Sequence, residues 1–337
     1  MHRVTIADVA RRAGVSTATV SRALSGGRKV SSDVAERVRA AATELGYEVN
    51  PIARALRVSR TDTVGMVVPS IRNPFFTALV ESVEHALGAD GKELLLCDAQ
   101  SDPDTEAKRL DALVTRNVDG IIVSPCHGTD STAAVQRTAE RLPLVQLDRF
   151  VGGTSTDWVG VDDMAAMRAV LDHVRAGGAR SAAYLGARLT NSSSELRHAG
   201  FGRHAEEFDL ATDPQWTLLG DYSVEWGERA VGLLHDAGQL PDALVCADDL
   251  IALGAVRACR TRGIAVPDQV QVTGFDNIEF TRLAEPPLTT VDQPTRRIAD
   301  EAVRLLADAA GGGSATRDAA HVALVPKLVV RDSTRAG

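Results

Sequence analysis

Between Thr5 and Gly46 the apolar positions recur every three or four residues and stop at glycines. Ile6, Val9, Ala10 and Ala13 fall at i, i+3, i+4 and i+7, the apolar stripe of a short helix. Thr5 is placed to cap that helix, with Asp8 in capping-box spacing, and Gly14 to end it. Ser16 then caps a second helix. In it Val20 and Leu24 turn inward, while Thr17, Ala18, Ser21, Arg22 and Ser25 share the outer face. A third helix is expected from about Asp33 to Leu45, stopping at Gly46. Two short helices about a tight glycine turn, braced by a third, predict a helix-turn-helix unit.

A helix used only for packing rarely carries Thr17, Ser21 and Arg22 on one side. That face suits the DNA major groove: Arg22 can fork onto guanine, and small neighbours such as Ser16, Thr17 and Ala18 permit close approach. Thr5, Thr19, Ser21 and Ser31 are candidates for phosphate contacts, which fix register without reading sequence. The plainer alternative is a solvated face on an ordinary three-helix cluster.

The next stretch, "NPIARALR", runs from Asn50 to Arg57. Asn50 is a good N-cap and Pro51 suits the first helical position. Roughly eight residues is too short for an isolated helix to persist in water. Two accounts remain open: a linker with weak helical bias, or a hinge helix that orders beside its twin on DNA. In the second, Ala53 and Leu56 form an apolar wedge for the minor groove, and Arg54 and Arg57 seek phosphates.

From Thr61 the pattern changes. Short Val-, Ile- and Leu-rich runs alternate with helical periods: "TVGMVVPS", "ELLLCDAQ", "VDGIIVSP", "LPLVQLDR", "SAAYLGA", "WTLLGDY", "ALVCADD" and "VQVTGFDN". Such alternation predicts parallel sheets with helices on both faces. The strands are too many for one comfortable sheet and divide near Val161–Asp163. Two doubly wound halves, with a ligand between them at the strand C-termini, are expected. The expected fold class is thus an all-α helix-turn-helix headpiece plus an α/β effector domain of two doubly wound parallel-sheet subdomains.

Charge sharpens this division. The chain carries a net −8, yet residues 1–60 hold eleven Arg and Lys against five Asp and Glu, leaving −14 on the remainder. A basic head on an acidic body points to a polyanion contact at one end. No apolar run is long enough for a bilayer, and the N-terminus does not read as a signal peptide. Cys97, Cys126, Cys246 and Cys259 are scattered and read as buried small hydrophobes of a reducing, cytoplasmic compartment. No His, Cys and Asp cluster has metal-ligand spacing, so no metal or cofactor is expected.

"TIADVARRAGVSTATVSRAL", "ERVRAAATELGYEVNPIARALR", "TVGMVVPSIRNPFF" and "LVVRDST" together resemble the lactose/galactose repressor family of bacterial transcription regulators, over nearly the whole chain. The resemblance implies a helix-turn-helix DNA-binding domain over 1–49, a hinge helix and linker over 50–60, and a periplasmic-binding-protein-like effector and dimerisation domain over 61–337. Its chain should cross three times between an N-subdomain (about 61–161 plus 293–321) and a C-subdomain (about 162–292 plus 322–337). "LTTVDQP" and the stretch before "LVPKLVV" would be the second and third crossings, and "AAGGGSATRDAA" a surface loop. The partners implied are a palindromic DNA operator, a second copy of the chain and a small sugar-like effector. No leucine heptads follow "LVVRDSTRAG", so a tetramer built on a coiled coil is not expected.

Position by position, the resemblance gives an effector shell. Ser70, Asn73, Phe75 and Phe76 match the N-terminal half, and Asp148 and Arg149 the cleft edge. Arg197 matches a residue that binds ring oxygen or carboxylate, and Tyr222 an aromatic wall. Asp248, Asp276 and Gln293 complete the set. Where the family usually has Asn-Asp before "ALG", this chain has Asp248–Asp249. An acceptor-only carboxylate favours a donor-rich, neutral ligand such as a pentose-like polyol or sugar and disfavours an anion.

Two rival classes are weaker. An enzyme would need a nucleotide loop or a nucleophile. The dinucleotide-like "GFGRHA" lies inside a predicted helix, and Ser192–Ser194 have no histidine placed by motif. Asp162–Asp163 and Asp248–Asp249 are more readily helix caps than acid/base pairs. A periplasmic sugar-transport protein shares the body fold but would lack the basic head.

Overall fold

The computed structural model describes residues 4–24, 30–47, 61–311 and 318–336. The chain forms two compact units, Met1–Thr61 and Asp62–Gly337.

In the first unit, α1 (Ile6–Ala13), α2 (Thr17–Leu24) and α3 (Ser32–Leu45) pack pairwise around Val9, Val20 and Val38, all fully buried. Asp8 closes the start of α1 by accepting from the Thr5 N–H at 3.0 Å and the Thr5 hydroxyl at 2.7 Å. Gly14 ends the helix in the left-handed conformation, φ 67°, which costs a residue without a Cβ little. Ser16 Oγ accepts from the Thr19 N–H at 3.2 Å, capping α2 as its sequence predicts. Ala23 joins the buried set, whereas Leu24 is only half-buried.

Among the described residues the second unit has two six-stranded sheets. The first contains β1 (Thr63–Val68), β2 (Glu93–Asp98), β3 (Gly120–Val123), β4 (Leu144–Leu147), β5 (Asp157–Val161) and β11 (His321–Leu324). The second contains β6 (Ala182–Ala187), β7 (Thr217–Gly220), β8 (Ala243–Cys246), β9 (Gln271–Asp276), β10 (Thr289–Asp292) and β12 (Lys327–Val329). Their orders are β2-β1-β3-β4-β5-β11 and β7-β6-β8-β9-β10-β12, the same winding twice. All named pairings are parallel except β10 with β12. Central strands such as β3, β4, β6 and β8 are buried along their whole length, which is why they read as continuous apolar runs.

The helices are α4 (Pro74–Ala89), α5 (Pro103–Thr115), α6 (Thr132–Ala139), α7 (Asp163–Ala176), α8 (Ser192–Glu207), α9 (Val224–Asp236), α10 (Asp249–Thr261) and α11 (Thr295–Ala310). After β5 the chain leaves the first sheet, and α7 packs on α8 of the second lobe. After β10 it returns, and α11 packs on α4. It leaves again after β11, so the third crossing falls at Val325–Pro326, within "LVPKLVV" and not before it. The first lobe thus extends to Leu324, beyond the expected 321, because β11 pairs with β5 through that residue. As an edge strand with alternating exposure, β11 lacks the apolar run that marks the central ones. Half of the glycine-rich loop expected over 309–320, residues 312–317, lies outside the described residues.

Both sheets reverse their order beside the first strand of each lobe, between β1 and β3 and between β6 and β8. In open parallel sheets this switch point, at the strand C-termini, is where a crevice forms. The loops after β1, β3, β4, β6, β7, β8 and β9 meet there. Two backbone N–H groups of the first lobe donate across to the second at this edge: Gly128 N–H to the Thr190 carbonyl, 2.7 Å, and Phe150 N–H to Ser192 Oγ, 2.9 Å.

Candidate functional site: an effector cleft and a DNA-reading face

The cleft is built from strand ends under backbone constraint. Asp148, after β4, and Asp276, closing β9, adopt φ of 62° and 108°, a region that side-chain-bearing residues rarely visit. Such conformations cost free energy and persist where the surroundings fix them, and here they aim two carboxylates inward. Asn73 caps α4 through its Oδ1, which accepts from the Phe75 N–H at 3.0 Å. That cap places Phe75 and Phe76 at the first turn, where their rings meet edge to face at 5.2 Å. Both rings are buried, as the simpler packing account requires, and both also line the cleft.

Arg197, on α8, is the centre of the network. Its Nε donates to Asp163 Oδ1 at 2.8 Å, its Nη1 donates to the Ala247 carbonyl at 2.8 Å, and Asp276 lies 3.7 Å away. Its guanidinium carbon stands 3.6 Å over the Phe275 ring. Gln293 Nε2 donates to Asp276 Oδ1 at 2.7 Å and so enters the set through Asp276. Arg149 lies 5.4 Å from the ring centres of both Phe76, in the first lobe, and Tyr222, in the second, and 3.8 Å from Asp148.

A recess of about 10 Å³ remains among Asn73, Phe75, Phe76, Asp148, Arg149, Ser193, Arg197, Tyr222 and Asp276, room for about one water. Four of its lining atoms, Asp148 Oδ1, Arg149 Nε, Ser193 Oγ and Tyr222 Oη, are buried without a hydrogen-bond partner. Asp248 Oδ2 and Gln293 Oε1 are in the same condition close by. A buried polar atom left unpaired costs about 1–3 kcal/mol, so such a concentration is unusual away from a binding site. Through Asn73, Phe76, Arg149 and Tyr222 the recess adjoins a larger cavity of about 590 Å³, which Ser70 also lines.

Four carboxylates, Asp148, Asp163, Asp248 and Asp276, face two guanidiniums. Burial raises all four acids against the opposing pull of the arginines: Asp163 and Asp248 to about 6, Asp148 upward, and Asp276 well above the usual range. Burial thus favours the neutral form of these acids, most of all at Asp276.

The adjacent acid pairs behave differently from two simple pairs of caps. Asp162 caps α7 through the Ala165 N–H at 2.9 Å, and Asp248 caps α10 through the Ile251 N–H at 2.8 Å. Asp163 instead holds Arg197. Asp249 binds the Ile278 N–H at 2.8 Å and the Thr290 hydroxyl at 2.6 Å, tying the ends of β9 and β10 together. Asp248 is placed behind the site; it does not line the recess or the larger cavity. Sequence reasoning passed over Asp163 and Ser193 as site residues. Asp163 was legible only from helix phase, and Ser193 lies beside a capping residue, Asn191.

On the head, Thr17, Ala18 and Arg22 are exposed along α2, and Arg22 Nε donates to the Ala18 carbonyl at 3.2 Å. Ser16 and Thr5 are exposed, Thr19 and Ser21 half-buried, and Ser31 precedes α3. Asn50, Ala53, Arg54, Leu56 and Arg57 fall outside the described residues. Among the described residues no helix is long and apolar enough to cross a membrane.

A helix-turn-helix head with an exposed arginine, joined to a two-lobed α/β body with a polar cleft, defines a ligand-responsive DNA-binding regulator. Residues 5–50 match the family described as "Bacterial regulatory proteins, lacI family", and residues 171–334 match "Periplasmic binding protein-like domain". The chain is 31% identical, over 98% of its length and 99% of the relative's, to the HTH-type transcriptional repressor PurR of Histophilus somni (strain 129Pt). Its fold matches the Lac repressor dimer bound to operator and the anti-inducer ONPF, with TM-score 0.89, 27% identity and coverage of 99% of this chain and 100% of that one. It also matches the transcriptional regulator CelR in complex with cellobiose, with TM-score 0.71, 30% identity and coverage of 98% and 100%. The protein belongs to the LacI family. It is a DNA-binding transcriptional repressor with a ligand-binding effector domain, not an enzyme and not a transport protein without a DNA-binding head.

Proposed function

We infer that the effector is a neutral sugar or pentose-like polyol, and that the repressor acts as a homodimer on a palindromic operator. The observation that carries the effector class is the set of unpartnered polar atoms between Phe76 and Tyr222, in a cluster with four carboxylates and two guanidiniums. Hydroxyl groups both donate and accept, so they satisfy Asp148, Ser193, Tyr222 and Arg149 together. Aromatic walls suit the apolar face of a sugar ring, and Arg149, which stands 5.4 Å from each ring centre, moves aside to admit one. An anion would have to bind against Asp148 and Asp276, the two acids that line the recess, and is disfavoured.

In this reading two heads take two half-sites. The Asn50–Arg57 hinges, spaced by the paired bodies, insert Leu56 at the centre. Effector closing or opening the cleft changes that spacing. Moving the complex from mostly bound to mostly free takes a differential affinity of about 5 kcal/mol, shared between two cleft sites.

A thermal-shift panel on the full chain tests the effector class. Neutral sugars or polyols should raise Tm, and acidic sugars should not. Stabilisation by nucleobases or sugar acids, with none by neutral sugars, refutes it. Mobility of palindromic DNA with and without the stabilising compound, together with sedimentation of the free protein, tests the operator and dimer parts.

A further inference from the structure

A further cavity, of about 500 Å³, meets the recess at Phe75 and Asp276 and shares with the 590 Å³ cavity a single lining residue, Arg72. Its volume is in the usual range of ligand pockets, about 300–1,000 Å³. One wall is the face of α4 that carries Pro74, Thr77, Ala78 and Glu81, a helical stripe at i, i+3, i+4 and i+7. The other is formed by the ends of β9 and β10 and by residues 277–280.

Its acids fall into two groups. Asp276 and Asp292 are register partners at the ends of β9 and β10, the first buried and the second half-buried. Glu81 and Glu279 are exposed, one on each wall, and so mark the mouth. Between the groups lie the apolar side chains of Phe75, Ile278 and Phe280. Among the described residues these four carboxylates face one guanidinium in the lining, that of Arg72.

An independent sign of a ligand comes from Gln293, which is only 3% exposed. Its Nε2 donates to Asp276 Oδ1 at 2.7 Å, while its Oε1 is buried without a hydrogen-bond partner. Gln293 lines this cavity and neither the recess nor the 590 Å³ cavity. A buried acceptor left free calls for a donor. Beside two carboxylates, the donor that fits is a cationic N–H group.

We propose that this cavity is a second ligand site, built for an aliphatic diamine or polyamine. One ammonium group lies at the inner end against Asp276, Asp292 and the free Gln293 oxygen, and another at the mouth between Glu81 and Glu279. The methylene chain between them covers Phe75, Ile278 and Phe280. An ammonium group has three donors and no acceptor, so it matches a lining of carboxylates and an amide oxygen. Two groups of acids separated by apolar surface select two charges on one chain over a single charge. The site stands apart from the sugar reading.

Isothermal titration of the full chain without DNA tests this with putrescine, cadaverine and spermidine. Butylamine supplies one charge on a similar chain, 1,4-butanediol none, and Mg²⁺ a double charge without a chain. At least one of the three amines should bind at a single site and about ten-fold more tightly than butylamine, with butanediol silent. Glu279→Gln and Asp292→Asn, the second keeping an acceptor for the Asn277 amide, should each weaken that binding about five-fold or more. Glu84→Gln, on an exposed part of α4 outside the cavity lining, should leave it unchanged, with circular dichroism confirming the fold of each variant. Equal binding of butylamine overturns the proposal. So does Mg²⁺ that binds as tightly and displaces the amine, or an equal loss in Glu84→Gln and Glu279→Gln, since either reports diffuse charge and not a site. Unchanged binding in both cavity variants, or no binding by any of the three amines, overturns it as well.

Discussion

Arg197 and Asp163 form a buried ion pair, Nε to Oδ1 at 2.8 Å, with side chains only 4% and 3% exposed. The pair links the inner face of α8 to the first residue of α7 and holds the guanidinium over Phe275. Burial opposes the arginine's charge, but Asp163 and Asp276 more than offset it and raise its pKa. Removing one member of a buried pair leaves an uncompensated charge, which costs about 3–5 kcal/mol. Arg197→Ala should therefore lose stability of that order in urea denaturation. Replacing both residues, Asp163→Leu with Arg197→Leu, should cost less than the single change. A double variant as unstable as the sum of the two singles would show that the pair does not act as a unit.

Asp248 titrates within the acid cluster, and its charge helps to raise Asp249 and Asp276. Its pKa, raised by burial to about 6, lies above the unfolded value near 3.9. The folded state then binds the proton more tightly, so this group's contribution is fully present below about pH 4 and is lost as pH rises through 6. Asp248→Asn keeps an oxygen to cap the Ile251 N–H and removes the titration. The stability of the variant relative to the parent should thus increase between pH 4 and pH 7. A difference that is flat with pH would mean that Asp248 titrates as it does in the unfolded chain.

Two glycines set the approach of α9 and α10. A Cβ on Gly227 would stand 2.0 Å from the Ile251 carbonyl oxygen, and one on Gly254 would stand 2.0 Å from that of Val224. Both obstacles are backbone, which cannot rotate away. Alanine at either position should destabilise the second lobe by about 3 kcal/mol. Gly202, mid-way along α8 with nothing within 4 Å of its added Cβ, should gain up to about 1 kcal/mol on the same change through helix propensity. Thermal melts of the three variants check the contrast.

What the sequence revealed depends on how each element is buried. The head was readable because α1, α2 and α3 each bury one stripe and end or begin at residues with a conformational reason to be there. The central strands were readable as strands buried on both faces. β5 was not, because "DWVGV" opens on an acid, although every one of its five residues is buried. At the site, Phe76, Asp148, Arg149 and Tyr222 stood out at strand or helix ends. Asp163 did not, since two adjacent acids before a helix look alike. Only the helix phase decides that Asp162 caps while Asp163 points at Arg197, 34 residues away. The dinucleotide-like "GFGRHA" also has a packing explanation: a Cβ on Gly200 would press on Met167 at 2.9 Å, so the glycine permits close contact of α7 with α8.

Arg22 provides the test of the head. It is exposed on α2 beside Ala18 and Thr17, and its Nε rests on the Ala18 carbonyl, a bond that a base edge can replace at little cost. A bidentate contact to guanine discriminates by about 1–3 kcal/mol. Arg22→Ala should weaken binding to the preferred site by that amount and relax selectivity at one base pair of each half-site. Thr5→Ala, by contrast, should weaken all duplexes to a similar degree, because a phosphate contact carries no sequence information. In vitro selection of duplexes with each variant, followed by titration at fixed salt, separates the two effects. An Arg22→Ala protein that selects the same site with the same preference would remove Arg22 from base reading and assign that role to other side chains of α2.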